Sequence, residues 1–144
     1  MLKLIDGGIS IDDRGELRFV NGFTFDGVKR SYSVTNHEAG FVRAWHGHKK
    51  EAKYVTVLRG AAIIGAIKVI NWDAPWACGT PERFVLSAAR PQVLFIPAGY
   101  ANGGKTLTDG AIVVYYSTCT LEESRGDDIR FPADTWDIWN VDQR

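Results

Sequence analysis

Long apolar runs, paired cysteines and an excess of one charge are all missing from this sequence. No segment approaches the ~18 consecutive apolar residues of a membrane-spanning helix, and the opening MLKLIDGGIS has no extended apolar core. The expectation is a cytoplasmic protein with no membrane partner. The only cysteines, Cys78 and Cys119, have no CxxC spacing and make no disulfide framework, so two unpaired thiols are expected. Seventeen basic residues balance seventeen acidic ones, and no Lys/Arg run alternates with aromatics. That removes the electrostatic footprint of a nucleic-acid binder. Helical periodicity over three turns is also missing, although 119–126 has room for one turn.

What remains is a globular composition, 45% apolar and 24% charged over 144 residues. This suits a single domain spanning 1–144 that buries its core without staples. Short alternating segments recur between turn signals. They run over 17–20, 28–35, 54–58, 61–70, 83–87, 92–96 and 111–118, punctuated by Asn21-Gly22, Arg59-Gly60, Pro97-Ala98-Gly99 and Asp109-Gly110. Such spacing predicts an all-β sandwich or barrel. The segment 71–80, NWDAPWACGT, reads as an irregular loop, and Gly103-Gly104 as a further interruption.

The most informative stretch is 40–60, GFVRAWHGHKKEAKYVTVLRG. Residues two apart in a strand share a face. Ala44, His46 and His48 are therefore expected to look into one cavity while Trp45 and Gly47 look away. Two imidazoles in one interior point to a metal site or to acid–base chemistry.

The spacing of Gly40, His46, His48 and Gly60 resembles the first motif of the cupins, small all-β jelly-roll barrels, and Pro97-x-Gly99 resembles the start of the second. Lys53 stands in the place of the cupin glutamate, and Asn102 in the place of the last histidine. An ammonium and a divalent cation compete for one electrostatic role, so the expectation is a barrel that keeps the cavity without a metal and without another cofactor.

More closely, the chain resembles the dTDP-4-dehydrorhamnose 3,5-epimerases. The resemblance is carried by Asp13-Arg14-Gly15, Val42-Arg43-Ala44-Trp45-His46, Lys53-Tyr54-Val55, the run 95–101 (FIPAGYA) and the strand from Thr108-Asp109 to Tyr115. The segments 28–32 (VKRSY) and 46–50 (HGHKK) are similar instead to the 3,4-ketoisomerases acting on dTDP-4-keto-6-deoxyglucose. The epimerase resemblance implies His46 as general base, Tyr115 as general acid and Lys53 as stabiliser of an enolate. It further implies Arg43, His48, Asn102 and Arg14 as contacts to a nucleotide-sugar substrate, and a homodimer.

The chemistry fits those residue types. A proton beside a ketone becomes removable by histidine when an ammonium in a dry cavity holds the developing oxyanion. The chain departs from the family after Tyr115 and runs only a few residues past Trp139, so a carboxylate from elsewhere would have to orient His46. Two further readings stay open, a sugar-binding cupin without catalysis and a metal-dependent cupin. Tyr115 as a packing aromatic, Lys53 on an exposed face and the five tryptophans as core or interface anchors are the plainer alternatives.

Overall fold

A computed structural model describes all residues 1–144. Twelve strands and one short helix occur in the order β1 (Lys3–Asp6), β2 (Gly8–Asp12), β3 (Gly15–Phe19), β4 (Arg30–Val34), β5 (Val42–His48), β6 (Lys53–Arg59), β7 (Ala61–Lys68), β8 (Glu82–Ser87), β9 (Gln92–Ile96), β10 (Tyr100–Thr106), β11 (Ile112–Ser117), α1 (Leu121–Arg125) and β12 (Ile129–Arg130). Two five-stranded antiparallel sheets form, ordered β1-β9-β6-β11-β4 and β12-β5-β10-β7-β8, and β2-β3 make a separate hairpin. This is the expected all-β jelly-roll. The loop at 71–80 is irregular apart from a 3₁₀ turn at Pro75–Cys78. Both cysteines are free, and no helix is long and apolar enough to cross a membrane.

The period of two along each strand sorts side chains between the inside of the barrel and its outer faces. Val55, Val57, Ala62, Ile64, Ala66, Leu86, Leu94, Ile96, Val113 and Tyr115 come from both sheets and pack into one buried cluster. In the first sheet the register sets Tyr115 beside Tyr32 and Val55, and Ser117 beside Arg30 and Lys53. One row of inward residues is thus aromatic and aliphatic, and the next is polar and cationic. That polar row is one wall of the cavity described below.

A second buried cluster covers the outer face of the other sheet. Trp45, Ile63, Ile67 and Ala101 are overlaid by Phe131, Trp136 and Trp139 from the C-terminal segment. The Trp45 indole nitrogen donates to the carbonyls of Ala133 and Trp136, both at 3.2 Å. Gly65, in the middle of β7, makes this packing possible. A Cβ there would meet Ile138 Cδ1 at 2.5 Å and the Trp45 ring at 2.7 Å.

β10 is the strand that the sequence pattern conceals. Its Gly103-Gly104 pair reads as an interruption, yet β10 runs unbroken between β5 and β7. A Cβ on Gly103 would approach that of Ala44 to 2.5 Å. The glycine is a point of close strand approach rather than a turn.

Gly65→Ala should therefore disturb the tryptophan-lined layer. Overpacking costs about 1–3 kcal/mol, which urea unfolding followed by tryptophan fluorescence would register. An unchanged midpoint and an unchanged native emission spectrum would contradict this packing.

Candidate active site

A cavity of about 450 Å³ opens between the two sheets, lined by Arg30, Tyr32, Lys53 and Tyr115 from the first and Arg43, His46, His48 and Asn102 from the second. Leu121, Ser124, Arg125, Asp128 and Arg130 close one side. Strand parity explains most of this. His46 and His48 face inward, as expected, while Trp45 turns out into the second cluster and Gly47 lies against Trp72.

The expectation for Ala44 is corrected. It packs with the outer cluster, and Arg43 enters the cavity instead. The register between β5 and β10 slips between Asn102, opposite His46, and Gly104, opposite Arg43. Two residues of β5, Ala44 and Trp45, answer Gly103 alone on β10, and such a bulge reverses the facing of the residues beyond it.

The first sheet supplies the facing wall. Tyr115 and Tyr32 stack with ring centroids 5.1 Å apart and planes 9° from parallel. The Lys53 ammonium lies 5.7 Å from the Tyr115 ring centroid and 5.8 Å from that of Tyr32. Lys53 is buried, and its pKa is pushed down by desolvation, with the Glu51 carboxylate acting against that fall. Burial pushes the Tyr115 phenol up to about 12, only partly offset by Arg43, so it holds its proton at neutral pH. Burial also raises Tyr32.

His46 is lowered to about 4, first by desolvation and then by Lys53 and Arg130, with Asp128 acting in the opposite direction. A neutral imidazole at neutral pH follows. Its Nδ1 stands 3.9 Å from Asp128 Oδ1, within ion-pair range but too far for a hydrogen bond. The other Asp128 oxygen accepts from Arg130 Nε at 3.0 Å. Asp128 is thus a carboxylate available to orient His46, drawn from a stretch that carries none of the motifs of the family resemblance. Catalytic hydrogen bonds in ligand-free sites are often long and tighten with substrate.

His48 is held differently. Its Nδ1 lies 2.6 Å from the Asp127 carbonyl oxygen and 3.1 Å from Glu51 Oε2, while its buried Nε2 has no partner. Burial is the main cause of its lowered pKa, followed by Lys53. The Asn102 amide donates to the His46 carbonyl at 3.3 Å, and Arg43 Nε donates to Asn36 Oδ1 at 2.7 Å. Arg14 is the one expected contact that the fold leaves apart from this cavity. It sits at the β2–β3 turn, bidentate to Asp12 and 87% exposed.

Sequence reasoning did not single out Arg30, Tyr32, Glu51, Arg125, Asp127, Asp128 or Arg130 as site residues. Arg30 and Tyr32 do carry a signal, since they alternate inward along β4 with Val34. Asp127 and Asp128 carry none, because they reach the site through a two-residue strand paired with Gly47 and His46. No group of three or more His, Cys, Asp or Glu side chains is placed to hold a metal ion.

Cationic charge accumulates here although the chain is neutral overall. Arg30 is paired with Glu51, and Arg130 with Asp128. Arg43, Lys53 and Arg125 line the same cavity with no carboxylate in ion-pair range. The arrangement can hold an anion, take a proton at His46 and return one from Tyr115 on the facing sheet.

Known proteins share this architecture. The dTDP-4-dehydrorhamnose 3,5-epimerase family model matches residues 13–140. The Legionella pneumophila dTDP-6-deoxy-D-glucose-3,5-epimerase, solved with dTDP-4-keto-L-rhamnose, is 22% identical with a TM-score of 0.76, covering 99% of this chain and 80% of that one. The sugar 3,4-ketoisomerase of Thermoanaerobacterium thermosaccharolyticum, solved with TDP, is 20% identical with a TM-score of 0.70, covering 93% and 90%. The Mycobacterium tuberculosis epimerase is 22% identical with a TM-score of 0.67, covering 83% of this chain, which spans 64% of its length. Curated proteins give no sequence match. The match over 13–140 includes both sheets' cavity residues, and the chain belongs to the dTDP-4-dehydrorhamnose 3,5-epimerase family.

Proposed function

We propose that this protein is a metal-independent isomerase that epimerises a dTDP-linked 4-keto-6-deoxy sugar at C3, C5 or both. The observation that carries the proposal is the opposition of His46 on one sheet to Tyr115 and Lys53 on the other, across a cavity with uncompensated cations. Neutral His46 takes the proton from the carbon beside the ketone. The C–H electron pair moves to the carbonyl oxygen, and the resulting enolate is held by the Lys53 ammonium. Tyr115, which keeps its proton at neutral pH, returns a proton from the opposite ring face, so the centre inverts. Asp128 stabilises the imidazolium formed in between. Arg43 and Arg125 meet the negative charge of the nucleotide diphosphate, and His48 and Asn102 contact the sugar.

One observation favours a second reading, 3,4-keto isomerisation. His46 and His48 line the same wall, and the unpartnered Nε2 of His48 could pass a proton between adjacent carbons.

Incubation with dTDP-4-keto-6-deoxyglucose in heavy water separates these chemistries. The epimerase reading predicts deuterium at C3 or C5 and an inverted product by proton NMR. Lys53→Met should slow both by on the order of 100-fold without loss of fold. A product with its carbonyl at C3 and no label at C5 would establish the ketoisomerase reading instead. Binding without exchange or product would leave a non-catalytic sugar-nucleotide cupin.

We also propose that the protein is a homodimer. Trp45, Trp136 and Trp139 are buried within their own chain and serve its core, whereas Trp76 is 76% exposed. An apolar patch lies on the outer face of the first sheet, where Phe23 packs against Phe25, Tyr54 and Tyr116. Phe25 there is 62% exposed, and Leu58 57%. Light scattering at micromolar concentration should give twice the 16.0 kDa chain mass; a monomer mass would refute it.

A further inference from the structure

Glu51 has no part in the acid–base scheme above, yet it is among the most deeply buried charged side chains of the protein, with none of its side chain exposed. Three donors hydrogen-bond its two oxygens, and the His48 imidazole lies beside them. Oε1 accepts from Ser117 Oγ at 2.5 Å and from Arg30 Nη2 at 3.2 Å. Oε2 accepts from Ser124 Oγ at 3.0 Å and lies 3.1 Å from His48 Nδ1. These partners come from β4, β5, β11 and α1, and Arg30, His48 and Ser124 all line the cavity.

The two neighbours of His48 Nδ1 decide where its proton sits. The Asp127 carbonyl at 2.6 Å can only accept, and a carboxylate oxygen surrounded by donors also accepts. Neutral His48 therefore carries its proton on Nδ1, leaving Nε2 bare, buried and without a partner.

We propose that Glu51 is a positioning residue of this site: together with the Asp127 carbonyl its carboxylate holds His48 in the Nδ1–H tautomer, so that Nε2 is an acceptor for a substrate hydroxyl, and it anchors the Arg30 guanidinium in the cavity wall. The catalytic part of this rests on the function proposed above, whereas the tautomer is a property of the free protein. Burying a carboxylate costs desolvation free energy that its donors only offset, and a neutral side chain would tie the same elements together at lower cost. What the carboxylate alone supplies is a set of acceptors with no donor among them, facing an imidazole N–H. Its charge also acts against the burial that lowers Lys53 and His48.

Glu51→Gln tests this. The variant keeps the shape but places an amide donor among the donors of Ser124 and His48. In ¹⁵N–¹H correlation spectra of the substrate-free wild type, His48 should be protonated at Nδ1. In a folded Glu51→Gln, the population should move toward Nε2–H. Turnover of a dTDP-4-keto sugar should fall on the order of 10- to 100-fold, the range for loss of a hydrogen bond to a charged group. A folded variant with the wild-type His48 pattern would overturn the proposal.

If Glu51→Gln does not fold, Ser124→Ala decides the matter. Relieved of one donor, Oε2 should draw closer to the imidazole and move the His48 Nδ1 proton downfield. No movement would overturn the proposal equally. The spectra need no substrate, so a protein that turns over no nucleotide sugar would refute the proposed activity while leaving the tautomer result to stand or fall by itself.

Discussion

The attachment of residues 124–130 to the turn after β5 is the constraint on which the site depends. The Asp127 carboxylate accepts backbone hydrogen bonds from Lys49 at 2.8 Å, Lys50 at 2.8 Å and Glu51 at 2.9 Å. Burial acts to raise Asp127, but these three amides outweigh it and hold the carboxyl below the usual range. The Asp127 carbonyl takes His48, Glu51 reaches back to Ser124, and β12 pairs with Gly47 and His46. A segment far away in sequence is thereby fastened along the histidine strand. Asp128, Arg125 and Arg130 enter the cavity as a consequence. Without this attachment, the jelly-roll would still offer His46, Lys53 and Tyr115, but His46 would lack its nearby carboxylate.

Charge and burial then set the chemistry of each group. Low water access weakens the charged form of every ionisable side chain in the cavity, so histidine stays neutral and tyrosine stays protonated. The same desolvation lowers Lys53, and the enclosed Glu51 carboxylate opposes it. A neutral imidazole, a protonated phenol and a buried lysine thus coexist in one small space because their environments differ. Tyr32 stacks on the Tyr115 ring, and Gly104 lies beside the Tyr115 hydroxyl, with a Cβ position 3.4 Å from that oxygen.

Much of this is legible in the sequence wherever a period of two holds. The parity of His46 and His48, and the register of Lys53 with the cupin motif, are enough to direct three side chains into the cavity. Arg43 follows only from the family resemblance, since a bulge in β5 defeats the alternation that would point Ala44 inward. β10 is concealed because glycines suited to close strand approach look like a turn. Glu51, Asp127 and Asp128 are illegible for another reason. Their roles arise from contacts across long sequence separation, and neither a turn carboxylate nor a two-residue strand has a local pattern to announce it. Arg14 shows the converse, a residue carried by motif resemblance that pairs with Asp12 on a hairpin away from the cavity of its own chain.

The central claim is that a desolvated, cationic cavity keeps His46 a neutral base. Titration of the His46 ring by ¹⁵N NMR in the free protein tests it most directly. The depression to about 4 predicts an imidazole that stays uncharged as pH falls from about 8 through about 5, becoming protonated only below that. A base with this behaviour loses activity on the acid side only as pH falls toward that value. An imidazolium already formed at neutral pH would mean that Asp128 outweighs burial and Lys53, and would contradict the account.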